Sequence, residues 1–293
     1  MTLRNAPAAT ALSHLACLLA CLLAAGWLSG CAGVGTRGSE TQGAKKTAAA
    51  LEQILAASHR PAENRARDTF RHPEETLLFF GIRPDMHVVE VWPGNGWYTE
   101  ILAPLLRDQG QLYAAHMDAA ASEYAKTLTT NFREKLGRNP ELYGKVVVTT
   151  LAATAASPIA PPDSIDLVVT FRNLHNWMMF GWDRAAFEAM YKALKPGGVL
   201  GVVEHRDNPA IPQDPKASSG YVNEDYAIEL IESAGFRLAG RSQVNANPKD
   251  TKDYEKGVWT LPPNFANGAE DRGRYQSIGE SDRFTLKFVK PAT

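Results

Sequence analysis

Cysteine is scarce: the 293-residue chain has three, Cys17, Cys21 and Cys31, all close to the amino terminus. Everything beyond Cys31 is therefore without a disulfide framework or a cysteine-based metal site. An excess of one charge is also missing. Lys and Arg total 31 against 32 Asp and Glu, and such mixed signs argue against a nucleic-acid surface. There is no internal repeat. The only extended apolar run, Ala11 to Gly26, is too short for a comfortable membrane span. His72, His116, His175 and His205 show neither i, i+4 helical spacing nor short-range pairing, so no metal site is expected.

What is present begins with a leader. Arg4 supplies a positive n-region, the apolar run follows, and Leu28-Ser29-Gly30-Cys31 closes it. That tetrapeptide resembles a bacterial lipobox; an uncleaved anchor helix is the other reading. The resemblance implies cleavage of residues 1–30 and lipidation of Cys31, giving an exported, membrane-anchored lipoprotein. Ala32 rather than Asp after the cysteine resembles sorting to the periplasmic side of the outer membrane. Several acyl chains, as bacterial lipoproteins carry, would hold firmly where one would not. Residues 31–50 are small and polar and read as a flexible tether. Residues 51–293 then form one domain with enough apolar content for a full core.

Within that domain the hydrophobic period alternates. Residues 51–80 read as helical, with Pro73 suited to a helix's first turn. Strands are expected at Val88–Val91, Gln111–Ala115, Val146–Thr150, Ile165–Phe171, Val199–Glu204, Phe236–Val244 and Arg283–Val289. Helices fit Trp97–Arg107, Ala119–Leu136, Asp183–Leu194 and the stretch from the cap Asn223 to Ala234. Lys195-Pro196-Gly197-Gly198 breaks the third of these helices. The last two strands are joined by a long Asn/Pro/Gly-rich loop with no helix between them. These features predict an α/β fold with a doubly wound, mostly parallel seven-stranded sheet and an antiparallel last strand, binding ligands at the strands' carboxyl ends.

The chemistry-bearing stretch is His87-Val-Val-Glu-Val-Trp-Pro-Gly-Asn-Gly-Trp-Tyr-Thr-Glu100. A buried strand delivers an acid to its carboxyl end, glycines let the backbone approach a ligand, and a helix follows. Glu90 with Gly94-Asn95-Gly96, the Asp166-Leu-Val-Val strand and the Leu194-Lys-Pro-Gly-Gly198 turn together resemble the class I S-adenosylmethionine-dependent methyltransferases. The similarity runs over roughly residues 66–290. Gly201-Val-Val-Glu-His-Arg206 and Gly279-Glu-Ser-Asp-Arg283 sharpen it toward an exported bacterial subgroup of predicted methyltransferases. The resemblance implies the class I, Rossmann-like fold and S-adenosylmethionine as cofactor.

It also implies roles. Glu90 would position the ligand's amino-acid end, and Gly94 and Gly96 would admit it. Trp92 stands where the family has its remaining glycine, so its indole must point away or wall the pocket. His116 occupies the usual ribose-binding acid's position, with Asp118 two residues on; either can serve. Phe171 and Asn173 would complete the cofactor side. Beyond the fourth strand, Arg172 suits an anionic acceptor, Trp177 an apolar or cation–π wall, and His175 a general base or, equally, a supporting histidine. Glu204-His205-Arg206 offers a further acid–base candidate or an ion-pair cluster. Gly279–Arg283 is a charged turn or an inward ion pair that closes the pocket.

The expected protein is thus a methyltransferase on a lipid tether with a small-molecule acceptor, no nucleic acid and no metal. A non-catalytic nucleoside- or metabolite-binding lipoprotein derived from such an enzyme is the second reading, favoured by Trp92, His116 and export away from the cofactor's source. A dinucleotide-dependent oxidoreductase is disfavoured, since Thr99 falls where the fingerprint's third glycine belongs.

Overall fold

The computed structural model describes residues 34–153 and 158–292. The leader, the lipobox and Cys31 lie outside the described residues. Contacts divide the chain at Ser39 and Glu40, and the architecture below belongs to Glu40–Thr293.

Helix α1 (Val34–Ala56) is followed by two single turns, α2 (Ala62–Arg65) and α3 (Asp68–Arg71), and by α4 (Pro73–Phe80). The first alternation is β1 (His87–Val91), α5 (Thr99–Leu106), β2 (Gln111–His116), α6 (Glu123–Arg138), α7 (Pro140–Tyr143) and β3 (Val147–Thr150). The second is β4 (Ile165–Phe171), α8 (Leu174–Phe180), α9 (Asp183–Ala193), β5 (Leu194–His205), α10 (Glu224–Ser233) and β6 (Arg237–Ser242). A 3₁₀ turn at Gly257–Thr260 and α11 (Arg272–Ile278) lead to β7 (Arg283–Val289).

The seven strands lie in the order β3-β2-β1-β4-β5-β7-β6. Neighbours pair in parallel, except that β7 runs antiparallel to both β5 and β6. This is the expected doubly wound sheet. Its central strands are buried on both faces, which is why Val88-Val89 and Leu167-Val168-Val169 read as continuous apolar runs. One core half gathers Val168, Trp177, Phe187, Leu200 and Phe284; the other gathers Leu77, Phe80, Ile101, Leu167 and Val203.

Five expectations need correction. The long connection between the last two strands is not free of helix: it carries the 3₁₀ turn and α11, which buries only Tyr275 and so shows no apolar period. Helix α1 occupies most of the segment read as a tether: Lys45-Lys46-Thr47-Ala48-Ala49-Ala50 is strongly helix-forming, and Thr47 and Leu51 are buried. The boundary at His72-Pro73 is as expected, with His72 left-handed (φ 40°) and α4 beginning at Pro73, but residues 51–71 are not one helix: Pro61 and the turn at Ala66-Arg67 divide them into the end of α1, α2 and α3. The acceptor segment after β4 is helix α8, ended by a left-handed Gly181; its polar start hid Leu174, Trp177 and Met178, which pack into the core. Lys195–Gly198 does stop α9, yet it lies within β5, with a register irregularity opposite Ile165–Leu167.

Candidate active site

β1 and β4 are adjacent, but the chain leaves them in opposite directions, so a crevice opens at their carboxyl ends. Both strands leave the sheet through a left-handed residue. Trp92 (φ 47°) donates its backbone N–H to Ala115 of β2 at 2.8 Å, and Arg172 (φ 60°) donates to Val203 of β5 at 2.7 Å. Asn173 braces the two ends, its amide donating to Val91 O (3.0 Å) and Thr170 Oγ1 (3.1 Å).

Two cavities meet there. The first, about 610 Å³, is lined by Glu90, Gly94, Tyr98, Phe171, Arg172 and Asn173, with Arg67 and Arg71 on its helical side. The second, about 570 Å³, is lined by Asp118, Ala121, Tyr124, Leu151, Phe180 and Trp182. Trp92, Met117, Tyr124 and Asn176 line both. One is charged and the other largely apolar.

Trp92 keeps the backbone conformation that a glycine would hold. Left-handed geometry costs an L-residue about 1–2 kcal/mol. The indole offsets this by edge and tilted packing on Trp177 (5.8 Å) and Trp182 (5.5 Å), and such aromatic pairs contribute about 0.5–1.5 kcal/mol each. Its Nε1–H donates to Leu151 O at 3.0 Å, so the ring leans toward the end of β3 and forms the wall shared by the cavities.

Gly94 (φ 59°) lines the first cavity, and a Cβ placed on it would meet nothing within 4 Å. Gly96 (φ 78°) differs: its Cβ would lie 3.0 Å from Phe132 and 3.2 Å from the Thr99 hydroxyl. Gly96 serves close packing of the loop on α6, and only Gly94 presents bare backbone to open space. Glu90 is buried, and its Oε2 accepts from Thr99 Oγ1 at 2.6 Å. Burial pushes this carboxyl up to about 7, although the Thr99 hydroxyl and then Lys135 oppose the rise.

His116 is buried and lines neither cavity. Its Nε2–H donates to Gly94 O (3.0 Å), and Nδ1 accepts from the Met117 N–H (2.8 Å). It ties the glycine loop to the end of β2, with no ring nitrogen left for a ribose. Asp118 does border the second cavity, with Oδ1 accepting from the Ala120 N–H.

Among the acceptor-side residues, Arg172 reaches the first cavity, whereas His175 and His205 border neither. His175 Nδ1 donates to Glu204 Oε1 at 3.0 Å, and its Nε2 meets the Asn176 amide at 3.1 Å. His205 Nδ1 pairs with Ser281 Oγ at 2.5 Å. Trp177 is wholly buried beneath Trp92 and walls no acceptor space.

The expectation drawn from histidine spacing also changes. Tertiary folding brings ligand atoms of His175, Glu204 and His205 within 4.8 Å of one another. Burial first, then His175, Arg172 and Arg283, hold His205 well below the usual histidine range. These neighbouring guanidiniums also oppose a cation there.

The roof of the cleft comes from residues that no motif marks. Trp97 lies between Arg60 and Arg71, whose guanidinium carbons are 5.2 and 4.6 Å from its ring, and donates Nε1–H to Asn64 O. Glu100, wholly buried, pairs with Lys135 and accepts from the Asn64 amide. Tyr98 stacks on Phe171 at 3.5 Å. The Arg-rich composition of residues 60–71 was the available signal, but exposed helices look the same. The Gly279–Arg283 turn points inward: Glu280, Ser281, Asp282 and Arg283 are all buried, and Glu280 pairs with Arg67, Arg71 and Arg283.

Comparison with known proteins agrees with this geometry. Residues 89–202 match the family described as "Methyltransferase domain". The chain is 24% identical over 204 residues to the ubiquinone/menaquinone biosynthesis C-methyltransferase UbiE of Pseudoalteromonas translucida (strain TAC 125), covering 70% of this chain and 74% of that protein. A SAM-dependent methyltransferase from Aquifex aeolicus superposes with TM-score 0.52 at 17% identity, covering 77% of this chain and 93% of the other. The [4+2]-cyclase SpnF superposes with TM-score 0.54 at 16% identity, covering 87% and 97%. Residues 89–202 thus match the methyltransferase domain, and the sheet around them is that of the class I methyltransferase fold.

Proposed function

We propose that the protein is an S-adenosylmethionine-dependent methyltransferase acting on a small-molecule acceptor, exported and held to a membrane through lipidated Cys31. The observation that carries the enzymatic part is the pairing of the two cavities. A charged space over Glu90 and Gly94 joins, past Trp92, an apolar one beside Asp118. That sequence of surfaces suits an amino-acid end, a ribose and an adenine in turn, and the open space in front of Gly94 is where backbone approach would occur.

Bound there, S-adenosylmethionine would supply an electrophilic methyl carbon. The chain's own residues bind, orient and exclude water. Glu90 would take the amino end, Asp118 the ribose, and Leu151, Phe180 and Trp182 the base. Phe171 and Asn173 would fix the floor, and Arg172 would face the acceptor. His175 and Glu204, set behind Asn176, would position this wall, and a catalytic part for His175 needs Asn176 to yield its Nε2. His116 would hold the loop.

Isothermal titration with S-adenosylmethionine and S-adenosylhomocysteine tests the reading directly; no heat at millimolar ligand would end it. Its pH dependence is a sharper check. A cationic donor favours the ionised Glu90, and the group titrates near 7. Donor affinity should therefore rise by up to about tenfold per pH unit below neutrality and level off above it. A flat profile would remove Glu90 from the contact. In the free protein the sign is opposite. A raised carboxyl costs stability as pH climbs from about 4.5 through about 7, because the folded state holds the proton longer.

Anchoring is tested separately. No helix among the described residues is long and apolar enough to cross a membrane, so attachment would rest on the amino terminus. Cys31→Ser should abolish incorporation of labelled palmitate and move the protein from the membrane fraction; retained label would refute lipidation at that residue.

The second reading, a non-catalytic nucleoside- or metabolite-binding relative, rests on Trp92 in the glycine's place and on His116, whose ring leaves no nitrogen for a ribose. A protein that uses the cleft for another nucleoside or metabolite would give no heat with either ligand, and a retired relative that still binds them would turn over no acceptor.

A further inference from the structure

Arg67, Arg71, Arg172 and Arg283 gather around a single carboxylate, Glu280. Its Oε1 accepts from Arg67 Nε at 2.6 Å, and its Oε2 from Arg71 Nε at 3.1 Å. Arg283 Nη1 lies 3.2 Å from Oε2, and this arginine is further tied to Ser281 O and Phe70 O. The guanidinium of Arg172 has no hydrogen bond or ion pair among the described residues, although its backbone is fixed to β5. Three guanidiniums thus share one carboxylate and the fourth, Arg172, has no partner among the described residues, so positive charge exceeds negative here by three.

Burying charge without compensation is costly, and proteins retain it where a ligand completes the set. Here three of the four, Arg67, Arg71 and Arg172, open onto the first cavity, beside Phe171 and Asn176. Burial first and then Arg283 bring Arg172 down to about 10, and burial followed by Arg172 takes Arg71 well below its usual value. The methyl donor does not balance this cluster. Its carboxylate is outnumbered by its ammonium and sulfonium, so its arrival adds positive charge.

We propose that the methyl acceptor is an anion whose carboxylate or phosphate seats on Arg172, with Arg71 and Arg67 beside it in the cleft. A planar guanidinium with free donors matches either group in bidentate fashion. The inference deepens the donor reading above and rests on it for the word acceptor; the anion site itself does not. Arg172 is the recognition residue, and Glu280 holds Arg67 and Arg71 at the cavity wall.

The test is titration of the full-length protein, saturated with S-adenosylhomocysteine, using inorganic phosphate in one arm and benzoate in the other. At least one should bind at one site. Arg172→Gln should weaken that binding by about tenfold or more, and Arg172→Lys by less, while S-adenosylhomocysteine affinity stays within about threefold. Losing a partly buried, unpaired charge should leave Arg172→Gln folded, and a Tm higher by about 2–5 °C is expected. If neither anion binds, or if binding survives Arg172→Gln, the proposal is wrong. If Arg172→Gln weakens S-adenosylhomocysteine as much as the anion, the cluster serves the donor's carboxylate and the proposal is also wrong. If the wild-type protein binds an anion but no S-adenosylhomocysteine, the donor reading fails while the anion site stands.

Discussion

Gly94→Val should lower S-adenosylmethionine affinity by about a hundredfold or more while the domain still folds. Gly94 has φ 59° and lines the charged cavity, and a Cβ at this position would have no atom within 4 Å. The new Cβ would thus displace no protein atom. It would fill the space that the ligand needs. A β-branched residue held left-handed costs about 1–3 kcal/mol, so some loss of stability is expected and must be measured alongside. Calorimetric titration and a thermal melt on one preparation separate the two effects. Unchanged affinity in a folded variant would mean that the ligand does not approach this loop, and the adenosyl assignment would fall with it.

Glu280→Gln should produce the largest loss of stability of any single change at the cleft, about 3–5 kcal/mol. The substitution keeps the shape and removes the one carboxylate shared by Arg67, Arg71 and Arg283, all within 3.2 Å. Burial alone would raise this carboxyl, but Arg71, Arg283 and Arg67 outweigh burial and hold it at about 2. The pH sign follows from a depressed acid. Its contribution is complete above the unfolded value near 4.5 and is lost as pH falls toward 2. Denaturant melts of wild type and Glu280→Gln should therefore converge across that acid window and differ fully at neutrality. Equal stability at pH 7 would show that the arginines do not depend on this partner. A second consequence links stability to recognition. With Glu280 removed, Arg67 and Arg71 lose the contact that holds them to the cavity wall, so anion binding should weaken even in the fraction that stays folded.

Much of the candidate site was legible because the fold delivers it locally. Glu90, Gly94 and Phe171 lie within a few residues of strand ends, and a strand's carboxyl end in a doubly wound sheet faces the crevice whatever its neighbours are. Asn173 was legible for the same reason, although its brace to Val91 O across the sheet was not. The ribose position was harder. His116 and Asp118 differ by two residues, and only the closed pair of bonds, Gly94 O on one ring nitrogen and Met117 N–H on the other, takes His116 out of the cavity. Arg67 and Arg71 could not be found from sequence, since they come from turns far along the chain from Arg172, Glu280 and Arg283. A run of arginines on a short helix is ordinarily a solvated surface.

The alternation of strands and helices, the acid-and-glycine turn after the first strand and the antiparallel last strand were all readable in the residue order. The first two follow from hydrophobic period and turn chemistry, which act over a few residues; the third rests on a connection that reads as a loop, although α11 lies within it. The turn of Trp92, the convergence of His175, Glu204 and His205, and the sharing of one carboxylate by three guanidiniums with a fourth beside them came from packing. Those outcomes depend on distances between segments up to 213 residues apart, and burial, which sets the energy of every charge involved, exists only once the segments have packed.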